Sequence, residues 1–227
     1  MEYTIIKEAH ENMARLAERH SAALVAFSGG KDSLVCLDLA VKHFKRVVPF
    51  FLFLAPGLRC IAERMEPARQ RYGLDIMEYP HFLLFNLMSN SIFCKKSIGG
   101  AKWMREFGLN EIYMAIIHDT GVRVIINGAK KSDSLWRRQK FFKFYTFQDA
   151  IYPLESWRKN DVLAYLKMNN IPIPATSGGG STGIDLSTPS LLWLHDNYPD
   201  DFERMEAYFP YIGAVVKRRD WYEIGRA

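Results

Sequence analysis

Apolar and polar positions alternate in two rhythms along this chain, and the switches between them predict most of its elements. Residues 4–19 set Ile5, Ile6, Met13, Leu16 and Ala17 among charges, the spacing of an amphipathic helix. ALVAF (23–27) is a short apolar run followed by two glycines, which predicts a buried strand. LVCLDLAVKHF (34–44) returns to helical spacing, and RVVPFFLF (46–53) reads as a second strand with Pro49 near its start or at a sheet edge. RCIAERMEPARQRYG (59–73) is helical, with Pro67 expected to kink or divide it and Gly73 to end it. LDIMEYP (74–80) predicts a third strand and VRVIIN (122–127) a fourth. Between them, 102–121 reads as a helix in two pieces with Gly121 at its C-terminal end.

Parallel strands need helical crossovers, so this alternation predicts an α/β fold: a doubly wound, mostly parallel sheet with helices on both faces. Beyond residue 150 a short edge segment precedes a helix at about 157–169. A Gly/Ser/Thr loop, ATSGGGSTGIDLST, follows, and short helices around PSLLWLHDNY, PDDFERMEAYF and YIGAVVKRRDWYEI close the sequence. Residues 1–175 are expected to form one nucleotide-binding α/β domain. Residues 176–227 are expected to form a loop and helical extension without a core of its own. GGGSTG (178–183) fits GxGxxG but follows IPIPATS rather than a strand, so a dinucleotide site fails its context and a substrate loop is the better reading.

Composition narrows the class. The 227 residues are 48% hydrophobic, enough for a packed core, and the net charge of +5 suits an anionic partner. Lys130, Lys131, Arg137, Arg138, Lys140 and Lys143 are the densest basic cluster. The three cysteines, Cys36, Cys60 and Cys94, stand far apart without a CxxC. They predict neither a structural zinc nor a thiol pair, and favour a reducing cytoplasm. No apolar run of about 18 residues predicts a membrane span. The histidines carry no metal-ligand spacing, and most of the tryptophans are expected in the core.

The chemistry sits where the pattern changes. Ser28-Gly29-Gly30-Lys31-Asp32-Ser33 joins the first strand to its helix. A helix N-terminus offers unpaired N–H groups and partial positive charge, and glycines let a ligand approach the backbone, so the stretch predicts a phosphate cradle. Ser28 and Ser33 add hydroxyls and Lys31 adds charge. Asp32 would repel a bare phosphate, so it either holds Mg²⁺ that bridges phosphates or braces the turn. GAKKSDSLWRR (128–138) follows the fourth strand, and ligands of doubly wound sheets sit at the carboxyl ends of strands.

SGGKDS after an apolar strand resembles the PP-loop of the adenine-nucleotide alpha-hydrolases, the ATP pyrophosphatases. Gly128-x-Lys130-x-x-Asp133-Ser134-x-x-Arg137 resembles a segment of their phosphoadenylylsulfate (PAPS) reductase branch, and YPLESWRKNDVLAYLKMNNIPIP resembles that branch's next stretch. The resemblance covers roughly residues 20–175, with Lys130 where arginine is usual.

It implies a nucleotide site of Ser28, Gly29, Gly30, Lys31, Ser33, Phe53 and Gly128. Lys31, Asp32, Lys130 and Arg137 would be the catalytic groups, with Mg²⁺ held at Asp32 through the phosphates. Cys94, Lys95, Asp133, Ser134 and Arg138 would contact the acceptor. The implied reaction is cleavage of ATP to AMP and pyrophosphate, adenylating an acceptor for sulfur or nitrogen transfer, with a partner protein as donor. Nucleic acid is one candidate acceptor, and a homodimer stays open.

The branch's carboxyl-terminal Glu-Cys-Gly is missing, and the chain carries Ile184 and Ser187 where thiols stand in relatives. Three scattered cysteines cannot supply four thiolates, so no iron–sulfur cluster is expected. A PAPS reductase-like enzyme with an external thiol, or a nucleotide-binding subunit without turnover, are the alternatives.

Overall fold

The computed structural model describes residues 2–89, 108–135, 138, 150–173 and 185–224. In chain order the elements are α1 (Glu2–Arg19), β1 (Ala22–Ala26), α2 (Lys31–His43), β2 (Arg46–Phe53), α3 (Arg59–Tyr72), β3 (Met77–Pro80) and α4 (Phe82–Ser89). After them come α5 (Leu109–Thr120), β4 (Ile125–Ile126), β5 (Ala150–Ile151), α6 (Lys159–Met168), α7 (Thr188–Asn197), α8 (Pro199–Tyr208) and α9 (Gly213–Ile224).

The five strands form one parallel sheet in the order β3-β2-β1-β4-β5, the doubly wound α/β arrangement. β1 pairs with β2 from Ala22↔Arg46 to Ala26↔Phe50, and with β4 at Leu24↔Ile125 and Val25↔Ile126. The chain runs outward from β1 through β2 to β3, then returns to β1's other side. The switch point therefore lies between β1 and β4, where such sheets open a crevice.

Several expectations are corrected. Pro49 is neither at the start nor at an edge: it is the fourth of eight residues in β2, in register with Val25. Phe27 N–H donates to the Phe50 carbonyl at 2.8 Å, so Phe50 faces β1 and Pro49 turns the other way, toward the strand of four residues. A missing N–H there costs little of the ladder. Pro67 lies inside α3 without dividing it; the bond it forfeits is to the carbonyl of Glu63, an exposed residue. The fourth strand is only two residues long, and α4 has no counterpart in the periodicity. Within the 102–121 helix, 102–107 lie outside the described residues, as does the 178–183 loop.

The chain forms two compact units. The first comprises residues 1–51, 65–77 and 114–174. Leu24, Val25, Val35, Leu39, Ile125, Ile126, Trp157 and Tyr165 are buried in it. Its core also buries Asp38, which accepts hydrogen bonds from Tyr165 Oη at 2.7 Å and Tyr72 Oη at 3.0 Å and pairs with Lys42 Nζ at 2.6 Å. A buried carboxylate is tolerated when it is met this fully. The second unit comprises residues 52–64, 78–113 and 175–227. Leu191, Leu194, Phe202, Met205, Phe209 and Ile212 are buried there. Asp201 takes the backbone N–H groups of Arg59 and Cys60, both at 2.8 Å, and so caps α3. Trp157 is buried in the first unit, whereas Trp221 is 81% exposed.

Among the described residues, no helix is long and apolar enough to cross a membrane.

Candidate functional site

The polar hexapeptide is half loop, half helix. β1 ends at Ala26 and α2 begins at Lys31, so Lys31, Asp32 and Ser33 form the first helical turn. Gly29 adopts φ +71°, a backbone that L side chains rarely take. Gly30 is the N-cap at φ −84° and ψ 164°, and no side chain caps the helix. The first intrahelical bond runs from Leu34 N–H to the Gly30 carbonyl at 3.0 Å. Helix geometry leaves the preceding N–H groups without intrahelical partners, pointing out of the N-terminus.

Ser33 holds this turn in shape. Its hydroxyl donates to the Gly30 carbonyl at 2.9 Å and accepts from Ser28 N–H at 3.3 Å, while the two serine hydroxyls lie 3.3 Å apart. Ser33 is buried and Ser28 half-buried, so Ser33 acts here as a brace.

The carboxyl end of β4 comes to the same place. A Cβ on Gly128 would stand 3.2 Å from Asp32 C and 3.3 Å from Asp32 O. Ala129 N–H donates to Asn127 Oδ1 at 3.0 Å, and a short 3₁₀ turn at Lys131–Asp133 follows. Asp133 Oδ2 accepts the Lys130 N–H at 3.0 Å. The turn is tied down by Ser132 Oγ donating to the Trp157 carbonyl at 2.9 Å, and by Lys131, whose N–H bonds the Glu155 carbonyl and whose ammonium pairs with the Glu155 carboxylate.

Two lysines converge on Asp32. Lys31 Nζ lies 2.9 Å from Oδ2 and Lys130 Nζ 2.7 Å from Oδ1. Lys130 Nζ also lies 3.0 Å from Asp133 Oδ1, which completes a carboxylate–ammonium–carboxylate triad. The Lys130 side chain is 3% exposed, against 25% for Lys31. Lys130 Nζ and Asp32 Oδ1 are fully shielded and make no contact with the angles of a hydrogen bond, so coulombic attraction carries the pair.

This arrangement bears on the Mg²⁺ expected at Asp32. Each Asp32 carboxylate oxygen faces an ammonium, and the two lysines balance the charges of Asp32 and Asp133. The carboxylate is not presented to a divalent cation, so these residues do not fit a resident Mg²⁺ site. Among the described residues, no group of three His, Cys, Asp or Glu side chains is placed to hold a metal.

Of the sequence-predicted residues, Ser28, Gly29, Gly30, Lys31, Asp32, Ser33, Gly128, Lys130 and Asp133 come together. Ser134 and Arg138 are exposed, and Arg138 N–H donates to the Ser134 carbonyl at 3.0 Å. Phe53 ends β2, in the second compact unit. Cys94, Lys95 and Arg137 lie outside the described residues. Cys36 is fully buried one helical turn beyond Asp32, and burial first, then the Asp32 charge, push its thiol far up. Burial, then the Asp201 carboxylate, push the Cys60 thiol up to about 12. Neither is a poised thiolate. The role of Asp133 as clasp of Lys130 was foreshadowed only by their spacing of three.

A family model described as phosphoadenosine phosphosulfate reductase domain matches residues 22–176. No curated protein matches the chain in sequence. Among solved structures, it is similar to the U34-tRNA thiolase NcsA from Methanococcus maripaludis with its [4Fe-4S] cluster, at 14% identity and a TM-score of 0.52, over 93% of this chain and 80% of that one. At that identity the likeness concerns the fold. It nonetheless overturns the expectation of no iron–sulfur cluster, since a chain of this fold carries one. That expectation came from counting thiols, and cluster irons also accept ligands other than cysteine.

Proposed function

The chain belongs to the phosphoadenosine phosphosulfate reductase domain family, and on that premise we propose that it binds ATP with the pyrophosphate portion on the N-terminus of α2 and cleaves it to AMP and pyrophosphate. One observation carries this reading: the α2 N-terminus has no side-chain cap, is entered through a left-handed glycine, and has Lys31 beside it. Such an N-terminus supplies aligned N–H donors and partial positive charge to a polyphosphate.

In the proposed step an acceptor oxygen, or water where no acceptor is bound, attacks the α-phosphorus. The bond from that phosphorus to the bridging oxygen of the β-phosphate breaks, and pyrophosphate leaves with the electron pair. The acceptor's proton passes to solvent. The backbone N–H groups and Lys31 hold the departing pyrophosphate, where negative charge grows. Mg²⁺ enters as the counter-ion of ATP, as part of the substrate. A sulfide-level sulfur nucleophile delivered by a donor protein then attacks the adenylated carbon. The bond from that carbon to the adenylated oxygen breaks, and AMP leaves with the electron pair. A nucleic acid is the acceptor this reading favours. Phe53, Arg137, Cys94, Lys95, Ser134 and Arg138 are proposed contacts of the nucleotide or acceptor.

Incubation with ATP, dATP or PAPS and Mg²⁺, analysed for AMP, pyrophosphate and sulfite, tests the proposal. AMP and pyrophosphate from ATP support it. Sulfite from PAPS in the presence of a thiol replaces it with the reductive reading, which the family match favours. Tight binding without product leaves a nucleotide-binding subunit.

A further inference from the structure

We propose that Lys130 is a positioning residue whose buried ammonium stays paired with Asp32, so that Lys31 can leave Asp32 for the anion bound at the N-terminus of α2. This rests on the nucleotide reading above.

The two lysines serve the same carboxylate but are not equivalent. Lys130 is 3% exposed and held by Asp133 at 3.0 Å on its own turn, and Gly128 packs that segment against the Asp32 backbone. To leave Asp32 it would have to strand a shielded ammonium, which is costly. Lys31 is 25% exposed, is held at Nζ by Asp32, and stands on the first residue of α2. It can change partners at small cost.

A carboxylate in the first helical turn competes with an incoming phosphate for the same N–H groups and the same dipole. Without a second cation, Asp32 would both retain Lys31 and repel the ligand. With Lys130 in place, Asp32 keeps a buried ammonium partner, shared with Asp133, after Lys31 departs. Lys130 thus acts through Asp32, without touching phosphate.

Second-site rescue separates this from a direct contact. The probes are inorganic pyrophosphate and Mg-ATP, titrated calorimetrically into wild type, Lys130→Met, Asp32→Asn and the double variant, with folding verified by circular dichroism. Lys130→Met is expected to weaken both probes about tenfold or more, because it leaves a like charge facing the anion. Asp32→Asn is expected to tighten pyrophosphate binding. The double variant is expected to regain most of the affinity lost in Lys130→Met. If ATP turns over, Lys130→Met raises KM more than it lowers kcat.

A double variant as weak as Lys130→Met would overturn the proposal and place Lys130 on the phosphate. Unchanged affinity in Lys130→Met would overturn it as well. Should Lys130→Met not fold, the comparison passes to the effect of Lys31→Ala, measured once with Asp32 intact and once together with Asp32→Asn. Lys31 freed from Asp32 must then contribute more affinity than Lys31 held by it, and an equal contribution overturns the proposal. If wild type binds neither probe, the nucleotide reading falls and this inference with it; binding by wild type without rescue removes this inference alone.

Discussion

Gly128 lies close against the backbone of Asp32: a Cβ there would stand 3.2 Å from Asp32 C and 3.4 Å from Asp32 Cβ, a tight contact that the two segments would have to ease. The contact joins the carboxyl end of β4 to the first turn of α2. Gly128→Ala should push the two segments apart by a few tenths of an ångström and destabilise the fold by about 1–3 kcal/mol. The same displacement should weaken ATP binding. Thermal unfolding reads the loss of stability and ATP titration the loss of affinity. A variant as stable and as tight-binding as wild type would show that the contact yields freely.

The paired glycines should respond unequally. Gly29 has φ +71°, whereas Gly30 at φ −84° uses backbone open to any residue. Gly29→Ala is expected to cost about 1–2 kcal/mol from the left-handed backbone alone, and Gly30→Ala less. Denaturant unfolding of the two variants decides the order, and equal losses would contradict it.

Acid should loosen α1 from α2. His10 Nδ1 and His43 Nε2 lie 2.8 Å apart, His10 stacks on Tyr165, and Lys42 and Asp38 are the charges beside them. Burial first, then the facing His43 and Lys42, hold His10 below the ordinary imidazole value; burial and Lys42 do the same to His43. The unfolded chain therefore binds protons more readily than the folded one. Stability from the neutral pair is full above about pH 6.5 and is lost as pH falls below it. Denaturant unfolding at about pH 7.5 and 5.5 should show this loss, and His10→Asn with His43→Asn should shrink it. An undiminished loss in that variant would assign it to other groups.

Asp201 should prove a cap. It takes the N–H groups of Arg59 and Cys60 while 3% exposed. Asp201→Ala strands both donors and should cost about 1–2 kcal/mol, with Asp201→Asn recovering part of it. Amide exchange at Arg59 and Cys60 is the local readout; unchanged protection there would remove the capping role.

The one-dimensional pattern determined whatever depends on neighbours in the chain. RVVPFFLF specified β2 to the residue, because an apolar run between Lys45 and the Pro56-Gly57 turn is long enough for a buried strand and too short for a helix, and SGGKDS marked the turn from strand to helix by its glycines. The shortness of β4 and the interior place of Pro49 were decided by pairing: how many residues of a run meet a partner depends on the adjacent strand, which periodicity does not record. The site divides in the same way. Lys31 and Asp32 adjoin in sequence, and their place at a helix N-terminus follows from local structure. That Lys130 would pair with Asp32 was decided only when β4 returned to lie beside β1. A basic residue reads the same whether it faces a phosphate or a carboxylate, and burial between Asp32 and Asp133 belongs to the tertiary structure alone.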